Sequence, residues 1–90
     1  MQTHELRLTD TNGYTVNLQG AVRYNVPADQ IPAVQAELMT LAEADADAER
    51  ALHLEHAAHN PDPVGAANAR SAAGRIRATD YRVRIHPPVA

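Results

Sequence analysis

Residues 4–26 read His4-Glu5-Leu6-Arg7-Leu8-Thr9, then Asp10-Thr11-Asn12-Gly13, then Tyr14-Thr15-Val16-Asn17-Leu18-Gln19-Gly20-Ala21-Val22-Arg23-Tyr24-Asn25-Val26. In the first run Leu6 and Leu8 share one face, with Glu5, Arg7 and Thr9 on the other. In the last run Tyr14, Val16, Leu18, Val22, Tyr24 and Val26 all fall on even positions, with Gly20 in phase. Side chains alternate across a strand, so period two at this length predicts half-buried strands over about 4–9 and 14–25. Between them, a type I turn closed by a left-handed Gly13 makes a three-residue hairpin loop. That loop sets Leu8 opposite Val16 and Leu6 opposite Leu18, apolar on apolar. A two-residue loop at Asn12-Gly13 would pair Leu8 with Asn17 and is rejected for that reason. Gly20 leaves two readings: one strand bent at the glycine, which is favoured, or a second loop at Gln19-Gly20-Ala21.

Working outward, Pro27 ends the sheet pattern, and Asp29 and Pro32 suit a helix start. Ile31, Val34, Leu38 and Leu41 then form an amphipathic stripe, predicting a helix over 29–44. Asp45 would come next in that stripe, and Glu43–Asp47 and Asp45–Glu49 are like-charge i,i+4 pairs. A break near 44–47 and a second helix over 47–59 follow; the alternative is one continuous helix that overhangs the body and dimerises. Asn60-Pro61-Asp62-Pro63 is a turn. It leads into a third helix over 63–78, with Val64, Ala67, Ala72 and Ile76 inward. Tyr81, Val83 and Ile85 alternate with Arg82, Arg84 and His86, predicting a strand over 80–86 that Pro87-Pro88 stops. The expectation is a single α+β domain over 1–90, ordered β-β-α-α-α-β. About three strands form a small antiparallel or mixed sheet with helices packed on one face.

Ninety residues make one small domain with a modest core. Cys, Phe and Trp are absent, which excludes disulfide scaffolds, thiolate chemistry and Phe or Trp stacking platforms. No apolar run reaches the roughly 20 residues of a membrane helix, and residues 1–5 lack signal-peptide features. A cytoplasmic protein without membrane contact is the expectation. All eight basic residues are Arg. Charge is segregated. Residues 1–28 are neutral. Residues 29–62 hold eight acids against Arg50, for −7, and residues 63–90 hold five Arg against Asp80, for +4. An acidic middle and a basic end complement each other within the fold or face partners.

Three constellations carry chemistry. Glu43, Asp45, Asp47 and Glu49 could dock a basic surface of a protein partner; their projection puts Glu43 with Asp47 and Asp45 with Glu49 on different faces, and the plainer reading is a solvated acidic corner. Arg75, Arg77, Arg82 and Arg84 could bind phosphates, although Tyr81, the only aromatic of that strand, faces the other way. Glu49, His53 and His56 fall within a helical sector of about 60°, with His59 a further 60° or so round, and could ligate zinc or nickel. No i,i+4 His pair is present, and acid–His helix pairing explains these residues more simply. Catalytic motifs are lacking: Ser71 is the single serine and no nucleophile pattern surrounds it. The favoured function is a small non-enzymatic protein–protein interaction module without cofactor. It would be an accessory or inhibitor protein working through the acidic helical corner or an edge strand, with homo-oligomerisation open. Nucleic-acid association through the Arg strand is the alternative, and His-mediated metal binding the third.

Overall fold

The structure is a computed structural model that describes residues 2–89. It is an α+β fold. A three-stranded antiparallel sheet in the order β2-β1-β3 is built from β1 (Thr3–Thr9), β2 (Val22–Pro27) and β3 (Arg82–His86). Two helices complete it, α1 (Ile31–His59) and α2 (Pro63–Arg75).

The hairpin turn forms as its residues predict. Asp10 Oδ1 accepts hydrogen bonds from the backbone amides of Asn12 and Tyr14, Gly13 N donates to Asp10 O, and Gly13 sits at φ 85°. Val16 N donates to Leu8 O and Thr9 bridges Thr15, which is the expected register at its start. Beyond that the chain departs from the expectation of a strand over 14–25. Residues 17–21 leave the sheet as a loop, closed by Ala21 N donating to Leu18 O with Gly20 at φ 86°. Only Val22–Pro27 returns as strand.

The loop changes the phase of everything after it. From the Thr9–Thr15 bridge, Arg7 would meet Asn17; it meets Val22, five residues further on. An odd insertion exchanges the faces of a strand. Leu6 therefore lies opposite Arg23 rather than Leu18, and Arg23 reaches over the core side to Glu37 at 2.7 Å. A bulge at Asn25, with φ 55°, adds one more residue and restores the phase, so that Val26 and His4 face each other, both buried. The unbroken even-position pattern thus spans two registers. Val16 and Val26 enter the core, while Tyr14, Leu18 and Tyr24 stay exposed.

A single helix replaces the predicted pair over 29–44 and 47–59. Its N-terminus follows a 3₁₀ turn at Ala28–Gln30, which contains Asp29, so Asp29 does not cap it. The seam that Asp45 was expected to spoil is carried instead by Leu38, Ala42 and Ala46, all without solvent contact. Asp45 lies half-buried beside the seam and accepts a hydrogen bond from Tyr81 Oη at 2.6 Å. Arg50 pairs with Asp47 and donates to Ile76 O at 2.7 Å. Like-charge i,i+4 pairs cost about 0.2–0.5 kcal/mol each. A break would strip several backbone hydrogen bonds, each worth about 1 kcal/mol, and create two new uncapped ends. Continuity wins.

α1 touches all three strands and roofs the sheet, whereas α2 packs on α1. Asp62 caps α2 by accepting from Val64 N, with Pro63 in its first turn. The helix ends at Arg75 rather than 78, and its inward residues are Ala66 and Ala73, with Ala72 half-buried; Val64 and Ala67 are exposed. A 3₁₀ turn at Ala78–Asp80 leads to β3. The core gathers Leu6, Leu8, Val16, Ala21, Val26, Ile31, Leu38, Ala42, Ala46 and Tyr81, with Val83 and Ile85 against it. At 1.5 Å per residue α1 is about 43 Å long, and it sets the long axis of a molecule measuring 58 × 19 × 16 Å.

Candidate functional site

The hairpin turn, the middle of α1 and the segment after α2 meet around a cleft of about 200 Å³ lined by Asp10, Thr11, Asn12, Asp45, Glu49, Ile76 and Tyr81. Asp45 and Glu49 reach it because i,i+4 residues share a helix face. Asp10 reaches it because its Oδ1 is held by the two turn amides. Tyr81 precedes β3 and closes the floor, its ring buried and its hydroxyl on Asp45 Oδ2. Burial pushes the Tyr81 phenol well above the ordinary tyrosine value, and the hydrogen bond to Asp45 and the charges of Asp45, Glu49 and Asp10 push it further. The phenol therefore remains a neutral donor and fixes the Asp45 carboxylate. Three carboxylates face this opening and no basic side chain lines it. They do not converge closely enough to hold a metal ion: among the described residues no group of three His, Cys, Asp or Glu has that arrangement. The chemistry on offer is electrostatic and hydrogen-bonding acceptance of a larger cation, with side-chain rather than drug-sized room.

The four acids singled out in the sequence are divided. Asp45 and Glu49 line the cleft; Glu43 is exposed elsewhere on α1, and Asp47 pairs with Arg50. With α1 continuous, they form no corner. Asp10 and Tyr81 come from sequence positions 35 or more residues away from Asp45, and only the tertiary structure brings them in. The one sequence signal was Asp45 itself, an acid at an apolar phase of a helix.

His53, His56 and His59 follow Glu49 along the C-terminal half of α1; His53 is half-buried and the other two are exposed. Arg75 ends α2 and Arg77 precedes the 3₁₀ turn, both exposed, while Arg82 and Arg84 stand on the face of β3 away from α1. No helix among the described residues is long and apolar enough to cross a membrane. Comparison with family models, curated proteins and solved structures finds no match to this chain.

Proposed function

We propose that this chain is a protein-interaction module whose acidic cleft receives a lysine or arginine side chain from a protein partner, in an accessory or inhibitory role. The observation that supports it is the facing of Asp10, Asp45 and Glu49 onto one side-chain-sized opening that lacks a basic residue of its own. A fully exposed ion pair contributes about 0.2–1 kcal/mol. Partial enclosure and a carboxylate already oriented by Tyr81 raise that, because less water and less side-chain freedom remain to be given up. Charge also steers the encounter with a basic surface.

The test is a titration of the isotope-labelled protein with a capped arginine peptide and with its citrulline counterpart, which keeps the shape and loses the charge. The arginine peptide is expected to shift the amide signals of residues 10–12, 45, 49, 76 and 81. Citrulline should leave them in place, Glu49→Gln should weaken binding several-fold, and added salt should weaken it further. Equal responses to both peptides, or shifts confined to other residues, would overturn the reading.

A further inference from the structure

The face of the sheet away from α1 exposes Arg82, Arg84 and His86, half-buries Glu5 and Arg7 and buries Thr9, and the register puts unlike residues from three strands onto it. Leu6, Leu8, Val83 and Ile85 point to the core, so their neighbours Glu5, Arg7, Thr9, Arg82, Arg84 and His86 point outward. Arg7 lies between Val22 on β2 and Arg84 on β3 in one row. Thr9 faces Arg82 in the next row, and Glu5 faces His86 on the other side. Arg23 turns toward Glu37 on α1, so Tyr24, its neighbour in the strand, turns to the open face, where it is 68% exposed. An arginine triad with an aromatic ring at its margin results. Neither the ring nor Arg7 was evident from β3 alone.

We propose that this open face is a binding surface for single-stranded nucleic acid, with Arg7, Arg82 and Arg84 on phosphates and Tyr24 stacking a base. Charge supports the polyanion. Glu5 is the only acid among these outward residues of β1 and β3, and it pairs with Arg7 at 3.3 Å. Arg7 also donates to Thr15 Oγ1 at 3.2 Å, which aims its guanidinium along the sheet. Arg82 Nη1 donates to the carbonyls of Thr79 and Tyr81, its other N–H groups have no hydrogen-bond partner among the described residues, and Arg84 makes no ion pair among them. The acids of α1 lie on the far side of the sheet. With a screening length of about 8 Å at physiological salt, they repel a ligand on this face only weakly. Shape supports a single strand. A three-stranded sheet face has no helix or ribbon to enter a major groove, whereas unstacked bases can lie against a sheet and meet a ring there. A surface this small has room for about two or three bases.

The experiment is fluorescence anisotropy of the full chain with labelled eight-nucleotide oligo(dT) and oligo(U), a duplex of the same length, and anionic lipid vesicles, at low and physiological salt. Single strands are expected to bind in preference to the duplex and the vesicles, with affinity falling as salt rises. Tyr24→Ala is expected to weaken binding about tenfold, and Arg84→Ala to weaken it and lower the salt slope by about one. Arg70→Ala on α2 should leave it unchanged. Tyr24, Arg84 and Arg70 are exposed, and an unaltered circular dichroism spectrum and melting temperature confirm each fold. Absence of binding at low salt, equal or better binding of duplex or vesicles, or full binding by Tyr24→Ala would each overturn the proposal.

Discussion

The Tyr81 hydroxyl donates to Asp45 from a ring that is 4% exposed, so one residue both fills the core and orients the site. Tyr81→Phe keeps the packing and removes a charge-assisted hydrogen bond, and is expected to cost about 1.5–3 kcal/mol in urea unfolding. The raised phenol also makes a pH signature. Its folded form holds the proton more tightly than the unfolded chain, so its contribution to stability is complete below the ordinary tyrosine value of about 10. That contribution is lost as pH rises above that value. Tyr81 should ionise only at higher pH or with unfolding, as followed by absorbance at alkaline pH, and Tyr81→Phe should flatten the alkaline loss of stability. The spacing of Tyr81, Val83 and Ile85 showed which face the ring takes. It carried no sign that Asp45 would be the partner, because the two are far apart in the chain and meet only when α1 stays unbroken.

At the level of elements, composition alone mistakes the phase of α2. Val64 is the largest aliphatic residue of that helix, yet it sits 67% exposed in its first turn, while Ala66 and Ala73 form the contact with α1. Small residues let two helix backbones approach closely, and a larger side chain there separates them. Ala73→Leu is therefore expected to destabilise the protein by about 1–3 kcal/mol through overpacking. Val64→Ala should stay within about 0.5 kcal/mol of the parent. Both are read from urea midpoints. Two glycines give opposite signs. Gly13 holds a positive φ in the hairpin turn, so Gly13→Ala is expected to cost about 1 kcal/mol. Gly74 lies in α2 with open space around it, so Gly74→Ala is expected to add about 0.5–1 kcal/mol.

Across the whole molecule, large apolar side chains are concentrated at the sheet end. Leu6, Leu8 and Leu38 are the largest fully buried residues, whereas the far half of α1 and α2 bury only alanines against each other. Hydrogen exchange is expected to show this as two levels of protection. Amides of β1 and of Ile31–Ala46 should exchange through global unfolding, and those of residues 52–75 through an opening of lower free energy. Leu38→Ala is expected to cost about 2–5 kcal/mol and to lower protection throughout. The charge segregation of the sequence becomes spatial at this scale: the acidic cleft opens beside α1, and the arginine face lies across the sheet from it.

Local physics settled what is local. The Asp10–Gly13 turn, the capping of α2 by Asp62 and the alternation of β1 and β3 depend on neighbours in the chain, so residue type and spacing sufficed for them. Long-range balance settled the rest. The five-residue slip at Asn17–Ala21 and the one-residue bulge at Asn25 together keep Val16 and Val26 buried while releasing Leu18 and Tyr24, and no periodicity count can detect them, because the parity lost at the loop is restored at the bulge. The continuity of α1 rests on Tyr81 and Arg50 offsetting acids that look unfavourable on an isolated helix. Both surfaces exist because the chain closes contacts between residues far apart in sequence, and those contacts carry the energies that decided between the alternatives.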